Sequence, residues 1–222
     1  MMISFSKETQ KFFRFFLLLA LMSCLSFSVL ADTYDDLFTA VRLNNVSTVK
    51  TLLLKGMDPD ASDRQGNTLL MTAIREDSQD VAALVLSMGA KVDLQNQYGE
   101  TALLIAAYEG AAGIARTLLQ KGAELNPSKG WPPLVYAAFN GHTEIVALFL
   151  ERGAKINATS DNGTTALMVA AMGGHIETVK LLLQRSADPN LKNAAGLTAI
   201  NFALQHANTD IAGLIKRAGG TE

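Results

Sequence analysis

An alanine recurs along the chain at a nearly constant spacing, and this repeat constrains the fold more than any other feature of the sequence. Its members are separated by 33, 33, 31, 33 and 33 residues and lie at Ala40, Ala73, Ala106, Ala137, Ala170 and Ala203. One glycine series keeps this spacing from the second unit onward, at Gly66, Gly99, Gly130, Gly163 and Gly196. Another lies at Gly56, Gly89, Gly122, Gly153 and Gly219, with Ser186 in the remaining place. Three series with one period predict a stack of about six equivalent units.

Each unit has the sequence pattern of two helices joined by a turn. The opening glycine suits a tight turn with a positive φ angle, and the closing glycine suits the left-handed position that ends a helix. Residues 49–53 and 145–149 are apolar at i, i+3 and i+4, so one face of each second helix is predicted to be buried. A threonine placed to accept a hydrogen bond from a free N–H at the start of the first helix lies at Thr68, Thr101, Thr165 and Thr198.

Several segments resemble the ankyrin family, in which a repeat of about 33 residues holds a turn and two antiparallel helices. The resemblance is carried by Thr165–Ala171, by Gly174-His175-Ile176-Glu177, by residues 179–183 and by Asp188-Pro189-Asn190, and Gly141–Val146 repeats the second element. It implies an all-α ankyrin-repeat solenoid of about six helix-turn-helix units, and the signal peptide that precedes the solenoid is predicted separately from residues 1–31. The units are predicted as an N-terminal cap at 32–65, four repeats at 66–98, 99–129, 130–162 and 163–195, and a C-terminal cap with a tail at 196–222.

The chain departs from the family at the histidine of the Thr-Pro-Leu-His motif. That place is taken by Met71, Leu104, Val135, Met168 or Asn201. We therefore expect the hydrogen bond that this histidine makes in the family to be absent.

Residues 1–31 have the pattern of a secretory signal peptide. Lys7, Lys11 and Arg14 form a basic start, residues 15–30 are mainly apolar, and cleavage is predicted after Ala31. A membrane-spanning helix is an alternative, but the uncharged run is shorter than about 20 residues and contains serines. A lipoprotein signal with an acylated Cys24 is a second alternative, although the apolar run continues through residue 30. The prediction is a periplasmic protein with no membrane span in the mature chain.

Charge and motifs exclude several functions. The net charge is −2 for the whole chain; without residues 1–31 there are 16 basic and 20 acidic residues, which gives −4. This balance lacks the basic excess that binds nucleic acid. His142 and His175 occupy the same place in successive units, about 8 to 10 Å apart, which is too far for a shared zinc ion. No phosphate-binding, nucleophile-elbow or metalloprotease motif is found, so we predict no enzymatic activity, no cofactor and no metal.

The family's contact positions, the turn tips and the exposed side of the first helix, predict the binding site. The candidate protein-binding residues are Arg75, Tyr98, Tyr108, Glu109, Lys129, Trp131, Phe139 and Asn140. The turn before the fourth unit is also two residues short, and Pro127, Trp131, Pro132 and Pro133 replace ordinary turn residues there. This indicates either a functional feature or local packing by Trp131. We hypothesise that Tyr98, Tyr108, Trp131 and Phe139 form the centre of a protein-binding face.

The predicted function is therefore that of a monomeric, non-catalytic protein-binding scaffold. The chain is similar to secreted proteobacterial ankyrin proteins, and this implies support of a periplasmic enzyme such as a catalase in oxidative-stress defence. An immunity-type inhibitor of a periplasm-acting toxin is the alternative. Both functions use the same surface, so the sequence leaves the choice open.

Overall fold

The computed structural model describes residues 33–222, and this part of the chain is built from helices. The predicted signal peptide lies outside the described residues. Two isolated antiparallel bridges, Ser62 with Thr68 and Thr159 with Thr165, are the β-type pairs of residues 33–222. The helices are α1 (33–42), α2 (Val46–Leu54), α3 (Leu69–Arg75), α4 (Gln79–Ser87), α5 (Ala102–Glu109), α6 (Ala112–Gln120), α7 (Pro133–Phe139), α8 (Thr143–Glu151), α9 (Ala166–Met172), α10 (Ile176–Gln184), α11 (Ala199–Gln205) and α12 (Thr209–Arg217).

The helices form two layers. The first helices of the units pack side by side in the order α3, α5, α7, α9, α11, and the second helices pack in the order α2, α4, α6, α8, α10, α12. One continuous core of buried aliphatic side chains joins the layers. The recurring alanine is buried in every unit, and its small side chain allows neighbouring first helices to approach closely. The predicted all-α solenoid is confirmed.

The turn chemistry follows the sequence prediction. All members of both glycine series have φ between 75° and 96°, and Ser186 has φ 66°. The side chains of Thr68, Thr101 and Thr165 accept hydrogen bonds from the backbone N–H three residues later. At Thr198, Asn201 Oδ1 accepts from both the Thr198 N–H, at 2.8 Å, and the Thr198 hydroxyl, at 3.0 Å.

The prediction that the motif histidine's hydrogen bond is absent is wrong for three of the five units. Met71 Sδ accepts from the Thr68 N–H, as Asn201 does from Thr198. Met168 Sδ accepts from the Thr165 N–H at 3.4 Å. A thioether sulfur is a weak acceptor, but in both units it accepts from the N–H of the threonine that caps the helix.

A third positive-φ series, which the sequence analysis did not use, lies in the turn between the two helices of each unit. Its members are Asn44, Asp77, Gly110, Gly141, Gly174 and Ala207. Beside it, polar side chains join neighbouring units. His142 Nε2 donates to the Tyr108 carbonyl and His175 Nε2 to the Phe139 carbonyl, each at 2.8 Å. A carbonyl oxygen only accepts, so both Nε2 atoms carry a proton.

A second ladder of polar side chains joins the units at the other end of the hairpins. Side-chain oxygens of one unit accept a backbone N–H about 31 residues later: Asp60 from Lys91, Asp93 from Glu124, Asn126 from Lys155, Asn157 from Asp188, and Asn190 from Thr221. The series 60, 93, 126, 157 and 190 shortens between residues 126 and 157. The two missing residues therefore follow Asn126.

Candidate protein-binding surface

The loops that precede the first helices have a common construction in four units. The side chain of a polar residue near the start of each loop accepts hydrogen bonds from backbone N–H groups later in the loop. The carbonyl of the same residue accepts a hydrogen bond from the N–H of the opening glycine. Neighbouring loops are also joined directly: Gln97 N–H donates to the Gln65 carbonyl, and Ala194 N–H donates to the Asn162 carbonyl. The polar residues are Asp63, Asn96, Ser160 and Asn193.

Hydrogen bonds hold the carboxylate of Asp63 in its charged form. Burial raises its pKa, but the Asn67 side chain and backbone, the Gln65 N–H and the charge of Arg42 act in the opposite direction and together lower it. Asn96 makes the same turn without a charge, since its Oδ1 accepts from Tyr98 N–H and Glu100 N–H. The turn therefore needs the oxygen acceptor, and a carboxylate is one way to supply it.

The loop before the fourth unit, residues 126–132, lacks this construction. Pro132 is the residue before α7 and Pro133 is its first residue, where a missing N–H costs nothing. The Gly130 N–H donates to Asp161 Oδ1 of the next unit at 3.1 Å. Among the hydrogen bonds of residues 33–222, none joins the backbone of this loop to that of the loop at 95–101.

A cleft of about 340 Å³ lies at this place between the two loops. We call it the Trp131 cleft. Its aromatic lining is Tyr98, Trp131 and Tyr136, with Pro127 and Pro133 beside them. Its charged lining is Glu100, Glu124, Asp161 and Lys129. The cleft thus combines flat apolar walls with a carboxylate-rich rim.

Three of the aromatic rings form one connected group. Tyr136 lies between Trp131, at a centroid distance of 5.6 Å, and Tyr108, at 6.3 Å in an edge-to-face arrangement. Tyr98 and Tyr108 are 72% and 44% exposed, whereas Trp131 and Phe139 are half-buried against the core. Burial raises the pKa of the Tyr136 hydroxyl, and the negative charge of Glu100 adds to this effect.

Glu100 is held in place by its neighbours. Its carboxylate accepts from Arg75 in an ion pair and from Asn96 Nδ2 at 2.7 Å. Asn96 Nδ2 also donates to Asn67 Oδ1 of the preceding loop at 2.9 Å. Arg75 is part of the surface of the first helices, so this network joins α3 to the rim of the cleft.

The candidate residues from the sequence separate into three groups. Tyr98, Lys129 and Trp131 line the Trp131 cleft, and Tyr108 is connected to it through Tyr136. Arg75 and Glu109 line a second groove of about 350 Å³ between the second and third units.

Phe139 and Asn140 lie outside the linings of both grooves. Phe139 packs against the core, and its carbonyl accepts from His175. Asn140 Nδ2 donates to the Tyr108 carbonyl at 2.7 Å.

Sequence reasoning missed Tyr136 and Glu124. In the repeat register Tyr136 corresponds to Thr72, Ile105 and Val169, which are buried or aliphatic positions of the core layer. A large aromatic residue with a polar tip at such a position, directly after the shortened loop, was the available signal. Glu124 gave no signal of its own in the sequence.

The comparisons with known proteins agree with this architecture. The family model described as ankyrin repeats (3 copies) matches residues 28–96, 85–160 and 134–220. No curated protein sequence matches the chain. The crystal structure of the human ASB11 ankyrin repeat domain is similar with a TM-score of 0.78 and 24% sequence identity, over 83% of this chain and 84% of that chain. At this identity the likeness concerns the fold alone.

Because the family model matches nearly the whole length, the chain belongs to the ankyrin repeat family. Ankyrin repeats are typical of non-catalytic scaffolds for protein–protein interaction. Within residues 33–222, no helix is long and apolar enough to cross a membrane.

Proposed function

We propose that this protein is an exported, non-catalytic scaffold that binds a protein partner through the loop and first-helix surface of its third and fourth units. The observation that carries the proposal is the group of exposed and half-buried aromatic rings around the shortened loop. Tyrosine and tryptophan bury a large area at low entropic cost, and they dominate the binding energy of many interfaces. Among residues 33–222, the large aromatic side chains that are exposed are Tyr98 and Tyr108, which lie in the loop before α5 and in α5, the first helix of the third unit.

Localisation is a separate part of the proposal. Cleavage after Ala31 releases a mature chain that begins at Asp32, and the periplasm is then the compartment of the partner. Intact-mass measurement of the protein from a periplasmic extract tests this point, with Asp32 as the expected first residue. A mass that retains Met1, or that carries a lipid on Cys24, would contradict it.

The similarity to secreted proteobacterial ankyrin proteins makes a periplasmic catalase the first partner to test. Crosslinking in the periplasm followed by mass spectrometry identifies what is bound, and a toxin in place of an enzyme would favour the immunity-type function. Binding to the isolated partner is then measured for Tyr98→Ala/Tyr108→Ala. We chose these two rings because they are exposed, so their removal leaves the core intact, unlike removal of Trp131.

The expected result is a loss of affinity of at least tenfold for the double variant with an unchanged circular dichroism spectrum. Leu54→Ala is the matched control, since Leu54 is 68% exposed on α2 and lies in the other helix layer. Equal affinity of the double variant and the native protein would place the partner on another surface. Equal loss in the control would show that the effect is not local.

A further inference from the structure

We propose that the Trp131 cleft binds an arginine side chain of an extended segment of the partner protein. This inference rests on the proposed function and specifies the chemistry of what is bound. Three features of the cleft support it: the arrangement of its aromatic rings, the balance of its charges and its place between two unjoined loops.

The aromatic walls suit a flat cation. Trp131 and Tyr136 are tilted by 54° at a centroid distance of 5.6 Å, so their faces are not stacked flat on each other. Tyr98, which is largely exposed, stands on the opposite loop. Guanidinium groups stack on aromatic faces, and tryptophan gives the strongest cation–π interaction.

The charges of the rim favour a cation over an anion. Glu100 is already neutralised by Arg75. Glu124 and Asp161 together contribute a formal charge of −2 and Lys129 contributes +1, so the rim has a net charge of −1. Asp161 accepts a hydrogen bond from the Gly130 N–H with its Oδ1 atom. Its Oδ2 atom accepts no hydrogen bond from residues 33–222. A guanidinium has five N–H donors and can serve two carboxylates while its plane rests on a ring.

The position of the cleft favours an extended segment. The backbone hydrogen bond that joins neighbouring loops at Gln65 and Gln97 has no counterpart between residues 95–101 and 126–132 of the described chain. The gap is open at the loop tips, and its volume of about 340 Å³ is within the range of sites that enclose a side chain or a small ligand. A protruding side chain can enter there without separating two bonded loops.

The only tryptophan of the chain is Trp131, and its fluorescence therefore reports the cleft directly. The probe is the blocked pentapeptide acetyl-Gly-Pro-Arg-Pro-Gly-amide, titrated into the purified full chain at constant ionic strength. The control peptide has citrulline in place of arginine, which keeps the shape and removes the charge. We expect saturable quenching or a wavelength shift with the arginine peptide and at least fivefold weaker binding of the citrulline peptide.

Two sets of protein variants test the charges. Glu124→Gln/Asp161→Asn keeps the side-chain shapes and the acceptor for Gly130, and it should weaken binding about threefold to tenfold, since exposed ion pairs are individually weak. Lys129→Gln should strengthen binding. Glu151→Gln changes an exposed carboxylate of α8 outside the cleft, so it should leave binding unchanged.

The proposal is overturned if the arginine peptide produces no saturable signal up to 10 mM, if citrulline binds equally well, or if Glu151→Gln has the same effect as the double variant. These results would leave the proposed scaffold function standing, because the Tyr98→Ala/Tyr108→Ala test uses the partner itself. Conversely, peptide binding together with full partner affinity of the tyrosine double variant would refute the proposed surface while the arginine site remains.

Discussion

The contact between the second and third units lacks a side-chain hydrogen bond that the later units make to a backbone carbonyl of the preceding unit. Two substitutions should introduce this hydrogen bond. His142 and His175 each donate to a carbonyl of the preceding unit, and Asn208 donates to the carbonyls of Ala171 and Met172. In the third unit the corresponding residue is Ala111, which has no donor in its side chain. The groove of about 350 Å³ lined by Arg75 and Ala111 lies at this point.

Ala111→His alone should not restore the link. The ring of His142 lies over Gly110, where an added Cβ would be 2.7 Å from the ring carbon Cε1. The residue that corresponds to Gly110 one unit earlier is Asp77, which has a Cβ and a φ of 50°. A new imidazole would meet this Cβ and remain in solvent. We therefore expect the single variant to change the free energy of unfolding by less than about 0.5 kcal/mol.

Asp77→Gly/Ala111→His should stabilise the protein by about 2 kcal/mol. The hydrogen bond to the Arg75 carbonyl contributes about 1 kcal/mol, partial burial of the ring about 0.5 kcal/mol, and removal of a left-handed aspartate about 0.5 kcal/mol. Asp77→Gly alone receives only the last contribution. The coupling between the two substitutions is then about 1.5 kcal/mol, well above the scatter of about 0.5 kcal/mol seen for independent sites.

The assay is urea unfolding of the four members of the cycle. Circular dichroism follows all helices and Trp131 fluorescence follows the fourth unit, so coincident curves show that unfolding is cooperative. Equal slopes against urea make the midpoints comparable. We expect the histidine to reach the carbonyl of the preceding unit only where a glycine lies beneath its ring. Additive effects of the two substitutions, or a double variant less stable than the native protein, would refute this explanation.

Three shorter predictions concern single positions. Ala207→Gly should stabilise by about 0.5 to 1 kcal/mol, because Ala207 has φ 59°, whereas Ala212→Gly inside α12 should destabilise by about 1 kcal/mol; urea midpoints decide both. The lowered pKa of Asp63 means that it stabilises the fold above the unfolded value of 3.8 and that this contribution is lost as the pH falls, so Asp63→Asn should flatten the acid side of the stability curve. The raised pKa of Tyr136 predicts that its hydroxyl ionises at a higher pH than an exposed tyrosine when absorbance is followed in an alkaline titration. Tyr136→Phe should remove this ionisation, and Glu100→Gln should move it to lower pH.

Periodicity explains why so much of the fold could be predicted. A positive φ at Gly66 or Gly56 is a property of a local turn, and the same turn recurs at a fixed interval, so each member of a series supports the others. Thr68 and Thr165 act on an N–H three residues away, which is also a local relation. Met71 was misjudged because a family motif was transferred by residue type, whereas the backbone only requires an acceptor at that distance.

The candidate site could be predicted only in part because it depends on contacts between units. The aromatic residues and the shortened loop were visible in the sequence, and both pointed to the fourth unit. Which rings meet depends on how the missing residues change the loop relative to its neighbours. Phe139 was expected at the centre of the face and lies outside the linings of the two grooves, while Tyr136 lies between Trp131 and Tyr108.

Packing of the turn and recognition of a partner are compatible roles for Trp131. A solenoid is stabilised by contacts between neighbouring units, and the shortened loop loses one of these contacts. Pro132 and Pro133 fix the backbone where the usual turn is missing, and the buried part of Trp131 packs against the core. Its remaining surface lines the cleft that the shorter loop leaves open. The deletion before the fourth unit thus leaves a space that Trp131 fills in part, and the proposed arginine side chain would occupy the rest of it.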